Sequence, residues 1–349
     1  MSGISRTFLV AVERLSETVP GVSSIFADHS RNAGSAANKA ADILEAASRK
    51  RLESVYQARV QARLTSGEGE QRSHWLISRG DNVYAATVHN KNFDLPQSGA
   101  LVSHLGNWLE ATRGKKRIMI VEGRVPDPEM PAAFRTISDD LLRRVFASDR
   151  GEVAAFVLKG KVDGVKVVSG EENEAFQFTE LLRNHRPEHV LGYYVLRQMP
   201  QGLAARKQAI EMGKSRIELE RHDMDKYLNE TLDRFAPNMP EGMNARQTFD
   251  DLMSREYAHT GFNGKFRAGD EHWLMRETND PAVTGGVESP VQKVSLECNQ
   301  RRDNHFAKLF QEKVDEGYAV FGQFGIIHLL DVAPKIRALD EGAMIEIAP

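Results

Sequence analysis

The sequence predicts an α/β protein with a mainly parallel central sheet flanked by helices, an inserted helical cap and an N-terminal helical extension. From about residue 75 onward, short apolar runs bounded by turn residues alternate with amphipathic stretches, as in repeated βαβ units. A long, mostly helical stretch at about 174–285 interrupts this alternation. We therefore predict a helical extension over residues 1–70 and an α/β domain over 71–349, with the cap inserted at about 174–285.

The composition of the chain limits the binding partners and the cellular compartments that we expect for it. The net charge is −3, from 46 basic and 49 acidic residues, which gives no general reason to expect nucleic acid as a partner. Cys298 is the only cysteine, which excludes an intrachain disulfide and a multi-cysteine metal site. No apolar run approaches the roughly 20 residues that span a bilayer. We expect a cytoplasmic protein, or an effector secreted without a cleavable signal peptide, whose oligomeric state stays open.

The first half of the chain changes its periodicity near residue 70. Apolar residues recur mostly every three or four positions over residues 34–65, which predicts an amphipathic helix. The polar, glycine-containing segment at 66–71 ends this extension. The elements predicted next are strands at 75–78 and 83–88, a helix at 98–113, a strand at 116–121, helices at 131–146 and 152–158, and a strand at 164–168.

The second half is dominated by helices. Residues 174–235 are predicted to be mostly helical, with interruptions near Pro187 and Pro200. Gly, Asp, Asn and Pro residues around aromatic side chains at 259–290 predict a long loop, typical of a lid, a binding loop or a disordered segment. The remaining predicted elements are helices at 245–257 and 289–316, a last strand that begins near Tyr318, a helix from Leu329 and a C-terminal tail.

Ionisable side chains closely follow four of the predicted strands. They are His89, Glu122, the pair Glu171 and Glu172, and His328. Because the carboxyl ends of parallel strands share one edge, we expect these side chains to meet in one crevice. Imidazole and carboxylate ligands together suit Mn²⁺, Co²⁺, Fe²⁺ or Zn²⁺. The alternative for each residue is a helix cap or a hydrogen-bonded turn residue, and the glutamate pair also suits a helix N-terminus.

The two histidines in this set, His89 and His328, belong to similar motifs. Gly325-Ile-Ile-His328 is a GxxH element after an apolar strand, and Ala86-Thr-Val-His89 repeats it with alanine in place of glycine. Glu122 ends a strand between them, and Arg301-Arg302-Asp-Asn-His-Phe precedes the last strand. Over about residues 74–125 and 290–338, these motifs in this order resemble the Tiki/TraB superfamily, which includes ChaN-like and erythromycin esterase-like proteins.

The resemblance implies a function for each motif. His89, Glu122 and His328 would be metal ligands or pocket residues. Glu122 and Glu172 would be catalytic carboxylates, with Glu171 competing for the place of Glu172. Arg302 would pair a carboxylate or stabilise a developing oxyanion.

The implied protein is a hydrolase in which a metal- or glutamate-activated water attacks an ester, amide or peptide carbonyl of a small-molecule or peptide substrate. The alternatives are a non-catalytic module for a haem-like ligand and a secreted bacterial effector that uses the same pocket.

Overall fold

The computed structural model describes residues 50, 74–87, 93–123, 125, 137–146, 151–211, 213, 223–267, 269–278 and 289–347. His89 and, apart from residue 50, the predicted N-terminal extension lie outside the described residues. The chain divides into two compact units. The first, which we call the sheet unit, comprises residues up to 168 and from 307 onward, and the second, the helical unit, comprises residues 169–306. The cap boundaries at about 174 and 285 stay a prediction.

The central element of the fold is a six-stranded mixed sheet in the order β4-β3-β5-β2-β1-β6. Its strands are β1 His74–Arg79, β2 Asn82–Thr87, β3 Arg117–Val121, β4 Lys166–Ser169, β5 Ala319–Gly325 and β6 Ala343–Ile347. β5 pairs in parallel with both β2 and β3, while β1 pairs antiparallel with β2 and β6. The predicted α/β class with a mainly parallel sheet is confirmed, with an antiparallel edge added by β1 and β6.

Burial explains which strands the sequence predicts. β5 is buried along its whole length, as expected for a strand between two parallel neighbours, and apart from Gln323 it consists of apolar residues and glycines. β6 is exposed or half-buried at four of its five positions because it lies at the edge of the sheet. So short and exposed a segment gives little hydrophobic signal, and the sequence did not predict it.

Helices in the sheet unit cover apolar strand surface. They are α1 Pro96–Ala111, α2 Asp139–Phe146 and α3 Gly151–Val162. Trp108 on α1 and Phe156 on α3 both contact the ring of Phe321 in β5, at centroid distances of 5.4 and 5.7 Å. Among the residues described at 137–146, α2 begins only at Asp139, and the earlier part of the predicted helix at 131–136 lies outside the described residues.

The helical unit has its own aromatic core. Its helices are α4 Glu174–Leu181, α5 Pro187–Glu211, α6 Met224–Phe235, α7 Ala245–Glu256 and α8 Glu271–Thr278, and α9, Pro290–Asp315, begins there. Phe178, Tyr194 and Phe235 pack against one another with centroid distances of 4.7–5.5 Å. The predicted interruption at Pro187 is confirmed, because α5 begins there, where proline suits the first helical turn.

Two predictions in this unit are wrong. Pro200 lies inside α5 and does not interrupt it, because the buried face formed by Val195, Leu196 and Met199 outweighs one lost backbone hydrogen bond. α8 occupies part of the predicted loop at 259–290, and its Leu274 is fully buried. This helix has eight residues, too few for its periodicity to stand out from a polar, glycine-rich segment.

None of the helices in the described part of the chain combines the length with the apolar character that crossing a bilayer requires. The short length of the predicted apolar runs agrees with this finding.

Candidate active site

The three parallel strands of the sheet unit end side by side. Thr87, the last residue of β2, is paired in register with Gly325, the last residue of β5. Val121, the last residue of β3, is paired with Gln323. Glu122 follows directly, so this edge of the sheet gathers polar groups from all three strands, where open α/β sheets bind their ligands.

A chain of hydrogen bonds connects these strand ends. The Gln323 side-chain amide donates to Thr87 Oγ1 at 2.7 Å, and the Thr87 hydroxyl donates to Glu152 Oε1 at 3.2 Å. The backbone N–H of Glu122 donates to the side-chain oxygen of Gln323 at 3.2 Å and to its backbone oxygen at 3.0 Å. We call these four residues the strand-end network. It fixes the backbone from which the Glu122 carboxylate extends.

The inner part of the strand-end network is shielded from water. Thr87, Gln323 and Glu152 are each 0 % exposed, whereas Glu122 is half-buried. Glu152 lies in the first turn of α3, where the helix dipole favours a negative charge. A buried carboxylate without hydrogen bonds is strongly unfavourable, so the Thr87 hydroxyl stabilises Glu152 in place. Glu122 is therefore the less buried of the two carboxylates in the network, and its Oε2 atom is itself shielded from solvent.

Sequence reasoning missed the inner members of this network. Glu152 looked like an ordinary acidic residue in a first helical turn, and its bond to Thr87 joins positions 65 residues apart. A signal did exist for the other two. Gln323 is the single polar side chain inside the strand β5, and Thr87 is the polar residue that ends the apolar run of β2; buried polar residues of this kind need a hydrogen-bond partner.

His328 lies where the sequence predicted it, just after β5. It ends the short 3-10 turn Ile326–His328 and is 3 % exposed. Its ring centroid lies 4.5 Å from that of Phe324. The turn packs against β2, so this imidazole belongs to the same strand-end region as Thr87.

The structure describes two of the three residues predicted to form the metal site, Glu122 and His328. His89 lies outside the described residues. Among the residues that the structure describes, no three His, Cys, Asp or Glu side chains lie close enough together to hold a metal ion. The described donors alone therefore do not form a metal site, and the predicted site, which includes His89, stays a prediction.

The remaining predicted residues lie in the helical unit. Arg302, which is buried, donates through both Nε and Nη2 to the same oxygen of Glu171, with the Nε distance at 3.0 Å. Glu172 instead faces Arg301 Nη2 at 3.6 Å and His305 Nδ1 at 3.8 Å. Within this unit Arg302 thus neutralises Glu171, while Glu172 belongs to a looser group of charges. Their catalytic roles stay predictions.

The chain was compared with known proteins by sequence and by structure. Comparisons with models of protein families, with curated proteins and with solved structures found no match. The resemblance to the Tiki/TraB superfamily therefore depends on the motifs alone.

Proposed function

We propose that this chain is a hydrolase in which the Glu122 carboxylate activates a water molecule for attack on an ester, amide or peptide carbonyl. The observation that carries the proposal is the strand-end network, which holds Glu122 at the carboxyl edge of three parallel strands. A half-buried carboxylate on a fixed backbone is suited to general acid–base catalysis, since geometry must be right before proton transfer can help. The motif resemblance supports the same reaction class.

The proposed reaction needs one proton acceptor and one carbonyl. Glu122 takes a proton from water, and the resulting hydroxide oxygen forms a bond to the carbonyl carbon. Collapse of the tetrahedral intermediate breaks the bond to the leaving oxygen or nitrogen, which receives the proton back from Glu122. Gln323, Thr87 and Glu152 are positioning residues, because they act on Glu122 through hydrogen bonds. His328 is proposed to donate a hydrogen bond to the substrate.

Turnover of simple substrates by a glutamine variant tests the proposal. We expect the protein to hydrolyse p-nitrophenyl acetate or a fluorogenic dipeptide amide, and Glu122→Gln to lower kcat about 100-fold or more, since general acid–base groups contribute on this scale. His328→Ala should also lose activity while the circular dichroism spectrum stays unchanged. Glu110→Gln, an exposed carboxylate on α1, is the matched control and should keep full activity.

Full turnover by folded Glu122→Gln would reject Glu122 as the base. An absorption band in the Soret region on titration with haemin, without turnover, would instead favour the non-catalytic binding module. Elemental analysis separates the two hydrolytic routes that the sequence left open. A stoichiometric transition metal in the active protein would support metal-activated water, and turnover by metal-free protein would support the glutamate route.

A further inference from the structure

A glutamine at the start of α1 has a buried side-chain oxygen with no hydrogen-bond donor among the described residues. Gln97 is the second residue of α1 and is 6 % exposed. Its Oε1 atom is shielded from solvent, and no described group donates to it. Buried polar atoms in folded proteins almost always have partners. This oxygen therefore indicates a donor that the described part of the chain does not supply.

The start of α1 lies at the carboxyl edge of the sheet. α1 joins β2 to β3, which both run parallel to β5, so the helix returns across the sheet from the end of β2. Near the other end of α1, Trp108 Nε1 donates to the backbone oxygen of Asp81 at 2.8 Å, just before β2 begins. The helix from Trp108 back to Gln97 covers about 16 Å at about 1.5 Å per residue, and β2 covers about the same length at about 3.3 Å per residue. Gln97 is therefore level with Thr87, the last residue of β2.

The side chain of Gln97 extends towards this same edge. Side chains on a helix tilt towards its N-terminus, and Gln97 belongs to the first turn. Pro96 beside it is exposed, so the start of α1 borders solvent. Glu122 directly follows β3, which ends at the same edge beside β5. The oxygen of Gln97 and the carboxylate of Glu122 thus lie at the edge where open α/β sheets bind their ligands.

We propose that Gln97 binds the N–H of the substrate, which makes an amide or peptide bond, rather than an ester, the preferred substrate of the hydrolase. This inference rests on the function proposed for Glu122. The N–H of an amide donates to Gln97 Oε1 and supplies the missing donor. An ester has an oxygen at the same position and leaves the buried acceptor unpaired, which is how a polar site rejects an analogue that lacks one donor. Gln97 selects the substrate, and Glu122 activates the water.

Turnover of matched substrates by the full chain tests this preference. The substrates are p-nitroacetanilide, its N-methyl derivative, which has no N–H, and the ester p-nitrophenyl acetate. Gln97→Met keeps the length of the side chain and should lower kcat/KM for p-nitroacetanilide about tenfold, the effect of one lost hydrogen bond. The same variant should hydrolyse the other two substrates at rates close to those of the wild type. Gln247→Met, at an exposed glutamine in the first turn of α7, is the matched control and should act as the wild type on all three.

Binding gives a second readout that needs no turnover. In nuclear magnetic resonance spectra of isotopically labelled protein, the side-chain amide signals of Gln97 are those absent from Gln97→Met. We expect N-methylacetamide to shift these signals and methyl acetate, the corresponding ester, to leave them in place. Equal shifts, no shift, or an equal loss of amide and ester turnover in Gln97→Met would overturn the inference. If the amide shifts the Gln97 signals while the wild type hydrolyses none of the substrates, the amide site stands and the hydrolase proposal fails.

Discussion

Among the described residues, one carboxylate in each unit is held by a different kind of donor: Glu152, which is buried, and Glu171, which is half-buried. In the sheet unit, the Glu152 carboxylate accepts a hydrogen bond from the neutral hydroxyl of Thr87, which in turn accepts from the neutral amide of Gln323. In the helical unit, the Glu171 carboxylate is bonded to the guanidinium of Arg302. Neutral donors fix a position without cancelling a charge, whereas a guanidinium cancels it. The first arrangement positions the carboxylate and keeps its charge in place, and the second pairs the carboxylate with a positive charge.

The largest effect should follow from removing the guanidinium of the ion pair. Arg302→Met leaves the Glu171 carboxylate, whose side chain is 23 % exposed, without its charged partner. Breaking a buried pair in this way costs about 3–5 kcal/mol, and we expect about 3 kcal/mol because Glu171 is partly solvated. Urea unfolding followed by circular dichroism measures the loss.

The double variant Glu171→Gln with Arg302→Met is the control for this prediction. It removes the stranded charge, so it should recover a large part of the lost stability. If the double variant is no more stable than Arg302→Met, the contrast between a neutral and a charged donor is wrong for this pair.

The second largest effect should come from the hydroxyl of Thr87. Thr87→Val keeps the shape of the side chain but removes the acceptor for Gln323 and the donor for Glu152. Leaving buried polar groups unsatisfied costs about 1–3 kcal/mol, and we expect about 2 kcal/mol by urea unfolding. Activity should fall as well, because the network positions Glu122.

Thr87→Ser is the matched control, since it keeps the hydroxyl and loses only a methyl group. We expect its stability and turnover to lie between those of the wild type and of Thr87→Val. Equal stability of the serine and valine variants would show that packing, and not the hydrogen bonds, determines the contribution of Thr87.

The contrast between the units also explains what the sequence could and could not reveal. Strands β2, β3 and β5 were predictable because buried parallel strands are short apolar runs, and the positions of Glu122 and His328 followed from the strand ends. Glu152 was not predictable, since its bond to Thr87 depends on how α3 packs. The position of a residue along a strand can be predicted from the local sequence. The partner of a buried carboxylate depends on the tertiary structure.

The adjacent glutamates Glu171 and Glu172 show the same limit of prediction from sequence. Glu171 and Glu172 are adjacent, and only the local backbone direction decides that Glu171 faces Arg302 while Glu172 faces Arg301 and His305. No periodicity distinguishes two neighbouring glutamates that follow a strand. Pro200 gives the converse case, because tertiary packing kept a helix where a local rule predicted its end.

The smallest effect should come from Asp340 in the sheet unit. Burial raises the pKa of its carboxyl above the ordinary value of 3.8, although Arg79 opposes the shift. A raised pKa contributes stability below the ordinary value, and this is lost as pH rises through the raised pKa. Asp340→Asn should therefore be more stable than the wild type at pH 7, by no more than about 0.5 kcal/mol. Urea unfolding at pH 3 and pH 7 should show the difference vanish in acid.

Asp223, the N-cap of α6 in the helical unit, provides a control of opposite sign. Hydrogen bonds from the backbone N–H groups of Lys226 and Asp225 lower the pKa of its carboxyl. A lowered pKa contributes stability above the ordinary value of 3.8 that is lost as pH falls through the lowered pKa. Asp223→Asn keeps a capping oxygen but should be less stable than the wild type at pH 7, with the gap closing in acid. If both variants shift in the same direction, the donors around a carboxylate do not determine its contribution to stability in this protein.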